Sequence, residues 1–227
     1  GEILSNFKSQ CDLNIRDGKV LPQGWLGKPW ACHQLSQQVS APYLVFLDAD
    51  VRLQPHAIAS AITLMDQLDW DFISPHPQQI AHSMLERLVQ PLLQWSWLAS
   101  VPLRIAERFG IPSMTIANGQ FFVVRSQALQ AIGGFESVKS KILDDVEIAR
   151  SLISAHFRGV VSEGSSIAET RMYESFSELR NGYGKSLHRA FGGAIGTLIA
   201  VTFIFITGIL PIVLIATGSP LGWIIYA

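Results

Sequence analysis

Tyr43-Leu44-Val45-Phe46-Leu47-Asp48-Ala49-Asp50 is the stretch on which the rest of the chain is read. Five aromatic and branched residues predict a buried strand. Two carboxylates, one residue apart, follow where that strand ends. In open α/β sheets ligands bind outside the carboxyl ends of strands. Mg²⁺ and Mn²⁺ prefer carboxylate oxygens, with one or two from protein and the rest from phosphate and water. Asp48 and Asp50 are therefore candidate ligands for a metal that holds a diphosphate. The same pair also suits a turn, or a cap for the helix that follows Pro55.

Moving outward, Leu21–Trp30 is rich in Pro and Gly, which marks a loop, and it carries Trp25, Trp30 and Lys28. Ala31–Val39 and Pro55–Leu68 read as helices, the second with Ile58, Ile62 and Met65 on one side. Phe72–Ser74 reads as a short strand. Met84–Phe109, with Trp95, Trp97, Pro91 and Pro102, fits either a helical insertion or an interfacial segment. Thr115–Arg125 reads as a loop feeding a strand. Ser126 is a suitable N-cap for a helix over Gln127–Ile132, with Gly133 to stop it. A further helix begins at Asp144-Asp145 and runs to Phe157, and Met172, Phe176, Leu179 and Tyr183 recur at helical spacing. Strands alternating with helices argue an α/β layer fold.

Charge divides the chain. It carries 17 Lys/Arg and 18 Asp/Glu, all at or before Arg189. The net charge of −1 gives no sign of a nucleic-acid partner. Ala190–Thr217 is uncharged and mostly apolar. As a helix it would run roughly 42 Å, longer than the ~30 Å hydrocarbon layer, so it is expected to tilt or to break near Pro211. A second span is expected from Leu221. Arg180, Lys185, His188 and Arg189 precede the first span, which by the positive-inside rule places the attached domain in the cytoplasm. The 2 cysteines, Cys11 and Cys32, lack CxxC spacing and read as free thiols, and the 6 histidines form no zinc pattern. The first recognisable element is already mid-domain, so an N-terminal portion is expected elsewhere.

Asp144 and Asp145 fit the first turn of a helix, where the dipole favours acids. They equally fit a general base that takes a proton from an attacking hydroxyl. Lys28, Arg180 and Lys185 could offset the charge of a departing diphosphate, and Arg180, Lys185 and Arg189 could equally be membrane-flanking charge.

The ordered set Leu21-Pro-x-Gly-Trp-x-Gly-Lys-x-Trp-Ala31, Phe46-Leu-Asp-Ala-Asp50, Gly119-Gln-Phe, Gly133-Gly134, Leu143-Asp-Asp-Val146 and Arg171-Met-Tyr173 resembles glycosyltransferase family 2. It looks most like the membrane-bound branch with carotenoid, hopanoid-associated and ceramide glycosyltransferases, over roughly residues 20–190. The resemblance implies a GT-A fold (a Rossmann-like sheet, here lacking its first strand unit) over residues 1–189, with transmembrane segments in 190–227. It implies a nucleotide-sugar donor, a lipid or carotenoid-like hydroxyl acceptor, Mg²⁺ or Mn²⁺, and inversion by direct displacement. Carried over by position, Asp48 and Asp50 hold metal and diphosphate, and Asp145 is the base with Asp144 beside it. Lys28 lies near the phosphates, and Gly119 and Gln120 line the acceptor or sugar pocket. Trp25, Arg180 and Tyr183 complete the substrate-binding set. The family's closing Gln/Arg-x-x-Arg-Trp motif is replaced here by Leu179–Lys185. Two competing readings are a non-catalytic membrane-tethered remnant or subunit, and a phosphatase of the haloacid dehalogenase type. Arg52 counts against the phosphatase, since that family wants Thr or Val there.

Overall fold

The computed structural model describes residues 13–84, 86–91, 101–173, 177–178, 180–182 and 193–218. Cys11, Trp95, Trp97, Leu179, Tyr183, Lys185, Arg189 and the span expected from Leu221 lie outside them. The chain divides into two units, Gly1–Arg171 and Met172–Ala227.

The first unit is built on a four-stranded sheet in the order β1-β5-β3-β6. Its strands are β1 (Tyr43–Leu47), β3 (Phe72–His76), β5 (Phe121–Arg125) and β6 (Gly159–Glu163). β5 runs antiparallel to both β1 and β3, while β6 is parallel to β3. A smaller sheet, β2-β7-β4, joins β2 (Val51–Leu53), β4 (Gln78–Gln79) and β7 (Ala168–Thr170). The α/β expectation thus holds, as two mixed sheets.

Period-2 alternation in β5 explains how the core is shared. Phe122 and Val124 join Phe72, Leu129, Phe135, Ile148 and Leu152 on one side. Phe121 and Val123 join Ile73, Ala57, Ala61 and Met65 on the other. The first side is covered by α4 (Ser126–Ala131) and α5 (Asp144–Ser154), the second by α2 (Ala57–Leu68).

Several expectations are corrected. β1 is half-buried rather than buried, with Leu47 44% exposed, because among the described residues it lies at the edge of its sheet. The first described helix, α1, spans Gly27–Ser36 and so takes in residues read as loop. Pro29 is tolerated because it falls in the first turn, where backbone N–H groups have no intrahelical partner. Ser126 lies inside α4 rather than capping it, and its hydroxyl donates instead to the Ala41 carbonyl. α5 ends at Ser154, short of Phe157. A short helix, α3 (Leu103–Phe109), occupies the end of the proline-broken segment. Gly133, at φ 81°, does end the α4 region as expected.

In the second unit, Ala194–Ala216 forms a 23-residue apolar helix, the one described helix long and apolar enough to cross a membrane by length and composition. It is made of α6 (Ala194–Ile204), a π-helical segment (Phe205–Ile209) and α7 (Leu210–Ala216). The irregularity falls just before Pro211, where a break was expected, since proline removes a donor and crowds the preceding turn.

Candidate active site

The sequence after β1 does two things at once. Asp48 N–H extends the β1–β5 ladder by donating to Gln120 O at 3.0 Å, and Val51 N–H then donates to Asp48 O at 3.1 Å. The backbone therefore does turn at Asp48–Val51, while the two carboxylates leave the turn toward different partners. Asp48 Oδ1 accepts from Lys28 Nζ at 2.6 Å. Asp50 Oδ2 accepts from Thr170 Oγ1 at 3.1 Å, across the β2–β7 pair.

Lys28 is delivered by the first turn of α1. Burial acts against its charge, but the hydrogen bond and charge of Asp48 and the charges of Asp144 and Asp145 raise its pKa above the usual lysine value. With side chains 45% and 33% exposed, the Lys28–Asp48 pair is worth about 0–1 kcal/mol to folding. Its significance is the fixed cation it places between carboxylates.

Those carboxylates open α5. Asp145 Oδ2 accepts from Gly119 N at 2.5 Å and its Oδ1 from Val146 N at 2.9 Å. Burial raises the Asp145 pKa, opposed by these amides and by Lys28. Asp144, 5% exposed, is pushed up to about 6, first by burial and further by the charges of Asp145 and Asp48, against the pull of Lys28. Asp48, Lys28, Gly119, Asp144 and Asp145 thus form one cluster.

Gly119 is where the cluster is tightest. A Cβ there would lie 3.0 Å from Asp145 Oδ2 and 3.1 Å from Lys28 Nζ. Gly119→Ala is accordingly expected to displace both groups and to cut turnover at least tenfold, while the thermal unfolding midpoint moves only a few degrees. Unchanged turnover in that variant would mean that the contact has no catalytic weight.

Beside it lies a polar floor. Gln120 is 2% exposed, and its Oε1 accepts from Gln79 Nε2 at 2.9 Å and Asn118 Nδ2 at 3.0 Å. Asn118 Nδ2 also meets His76 Nδ1 at 2.5 Å. Burial lowers the His76 pKa, against the charge of Glu163, which favours a neutral ring able to accept there. Ser74 Oγ and the Asn118 backbone exchange bonds of 2.9 and 2.7 Å, which ties this loop to β3.

Among the described residues no three His, Cys, Asp or Glu side chains converge as a metal cluster. The two carboxylates do supply the hard oxygen set of a cation that takes most of its ligands from phosphate and water. Such an ion would need a diphosphate to complete its ligands at Asp48 and Asp50.

Other sequence-derived assignments fare differently. Trp25 packs with Trp30 at 5.0 Å and with His33 at 4.9 Å, and it leans on the core. Its observed partners are structural. Arg180 belongs to the second unit, and Tyr183 lies outside the described residues. Sequence reasoning missed Thr170, His76 and Asn118, while Cys32 is the free thiol it expected. The Cys32 thiol is free, and its pKa is raised to about 11 by burial and by Asp144. It is not a nucleophile at neutral pH.

The family model described as glycosyl transferase family 21 matches residues 23–180. That stretch contains Lys28, Asp48, Asp50, Gly119, Gln120, Asp144 and Asp145. No curated protein matches the sequence.

Proposed function

Because this chain belongs to glycosyl transferase family 21, we propose that the Asp48–Lys28–Asp145 cluster transfers a sugar from a nucleotide diphosphate to a hydroxyl of a lipid, inverting the anomeric carbon. Membership makes the chain a glycosyltransferase of ceramide glucosyltransferase-like, GT-A type. The match supports the ceramide glucosyltransferase-like, GT-A part of the resemblance read from the sequence. The carotenoid or hopanoid branch is left as one source of lipid acceptors.

The observation that carries the reading is Lys28, ion-paired with Asp48 and close to Asp145 beside Gly119. Lys28 bonds Asp48 at the lip of β1 and adjoins Asp145 through Gly119. A diphosphate leaving group and an attacking hydroxyl need opposite things, a cation and a base. Here the two stand within one side chain's reach.

In the displacement, Asp145 accepts the proton of the acceptor hydroxyl as its oxygen bonds the anomeric carbon. The bond from that carbon to the diphosphate breaks on the opposite side, and Lys28 offsets the charge that develops there. The Gly119 and Val146 amides hold the Asp145 carboxylate in place. Asp50, with Asp48, would hold Mg²⁺ or Mn²⁺, whose contribution is to neutralise phosphate charge. The apolar helix Ala194–Ala216 supports a membrane location, and the cations before it support a cytoplasmic catalytic face.

A carboxylate must be ionised to act as a base, and both Asp144 and Asp145 are shifted upward. Activity is therefore expected to fall on the acid side at a higher pH than an ordinary carboxylate, with its value near 3.8, would set. Stability has the opposite sign. A carboxyl with a raised folded pKa binds more protons folded than unfolded between 3.8 and about 6. The fold is most favoured by this group below that window and loses the contribution as pH rises through it. Asp144→Asn should flatten the stability profile there, as read by unfolding midpoints at several pH values.

The function itself is tested by incubating membranes that carry the full protein with labelled nucleotide sugars and a lipid extract, with and without chelator. Label is expected to pass to the organic phase only without chelator. Absence of transfer from every donor, by folded protein, would favour a non-catalytic subunit.

A further inference from the structure

A concavity of about 640 Å³ lies at the edge of the main sheet away from the active-site cluster. Its lining includes Trp70, just before β3, and Gly159, the first residue of β6. The active-site cluster stands at the opposite, carboxyl edge. β3 is five residues long, so at about 3.3 Å per residue the two sites are roughly 16 Å apart.

Three guanidiniums, Arg104, Arg108 and Arg158, line the concavity against one carboxylate, Glu107. Arg104 and Arg108 make no ion pair among the described residues. Arg158 pairs with Asp69 at 3.4 Å, but both side chains are largely exposed, 63% and 90%, and such a pair yields readily. The rest of the lining is His156, two glycines, Ile153 and the aromatic Trp70, Phe109 and Phe157. On α3, Arg104 and Arg108 are four residues apart and so share a face. Ile105 and Phe109 sit one residue further round, 49% and 68% exposed. Cationic and apolar groups thus stand side by side in the open, Arg108 lying over the Phe109 ring at 5.8 Å and neither arginine of α3 in an ion pair among the described residues.

Guanidinium forks match phosphate oxygens, and paired arginines beside uncovered apolar side chains suit an anion that carries a hydrocarbon chain. The geometry points to a binding site for the headgroup of an acidic phospholipid, with phosphate between Arg104, Arg108 and Arg158 and the first acyl carbons against Phe109 and Ile105. The choice of a lipid over a free phosphate rests on the reading that this chain works at a bilayer. The concavity itself does not.

The full protein in neutral detergent is titrated calorimetrically with dihexanoyl phosphatidic acid, dihexanoyl phosphatidylcholine and inorganic phosphate. One-site binding of phosphatidic acid is expected, at least tenfold tighter than either comparison ligand. Arg104→Ala combined with Arg108→Ala should weaken it at least tenfold, and Arg158→Ala should weaken it less. All three arginines are on the surface, so the fold is retained, which the unfolding midpoint checks. Equal binding by the double variant overturns the site. Inorganic phosphate binding as tightly as phosphatidic acid overturns the lipid assignment, and so does phosphatidylcholine doing the same. No sugar is present in this titration, so its failure leaves glycosyl transfer standing, and failed transfer leaves the isotherm standing.

Discussion

Asp145→Asn is expected to lower the turnover number by about 10²–10⁴-fold, the usual weight of a positioned general base, with donor affinity changed only a few-fold. The carboxylate receives two backbone N–H bonds, from Gly119 and Val146. An asparagine can accept only one of them and turns its own NH₂ toward the other. The variant thus removes the base and loosens its seat, and the two effects must be separated. Donor binding, measured without acceptor, reports the seat, because Lys28 lies on the donor side of the same cluster. Single-turnover transfer reports the base. Wild-type turnover with intact donor binding would remove Asp145 from the proton-accepting role and leave Asp144, the other buried carboxylate of that turn, to be tested.

Asp50→Ala should abolish the cation-dependent part of transfer, a loss of about 10²–10³-fold if it removes one charge-stabilising contact from the transition state. Asp50 is exposed, and its one described side-chain partner is the Thr170 hydroxyl. Its removal leaves the buried Thr170 hydroxyl without its described acceptor, a cost of about 1–3 kcal/mol, so the unfolding midpoint should fall by a few degrees while the fold is kept. Asp48→Ala is a less clean experiment, because it also releases Lys28 from its 2.6 Å bond. The check is a titration of rate against Mn²⁺ and Mg²⁺. A variant that reaches wild-type rate at the same concentration of ion would dissociate Asp50 from any cation.

Much of the scaffold could be read from local pattern. The apolar run into Asp48, the amphipathic helix ending at Leu68, the acidic start of α5 and the long apolar helix each obey a periodicity that a window of residues can carry. The smaller sheet could not be read this way. β2, β4 and β7 are only two or three residues long, too short for alternation to register. They matter because β7 brings Thr170 to Asp50 across 120 positions of sequence. Side-chain partners set by tertiary folding were equally hidden. Ser126 looked like a cap and instead ties to Ala41. Cys32 stood in an expected helix with no motif around it, yet its thiol senses Asp144, Lys28 and Asp48. Lys28, Asp48, Asp144 and Asp145 were legible because strand ends and first helical turns are where a layered sheet gathers such groups. The half-exposure of β1 was not legible, since hydrophobic composition alone does not say which strand lies at an edge.

The π-helical segment Phe205–Ile209 changes what the apolar helix can offer its surroundings. A wider turn offsets the angular phase of every later residue by about a quarter revolution relative to an unbroken α-helix. Ile195, Leu198 and Ile199 before it and Ile212 and Val213 after it therefore do not extend one straight seam. Each half of the rod can dock a different neighbour, and a replacement for Pro211 that restored regular winding would bring the two seams into line.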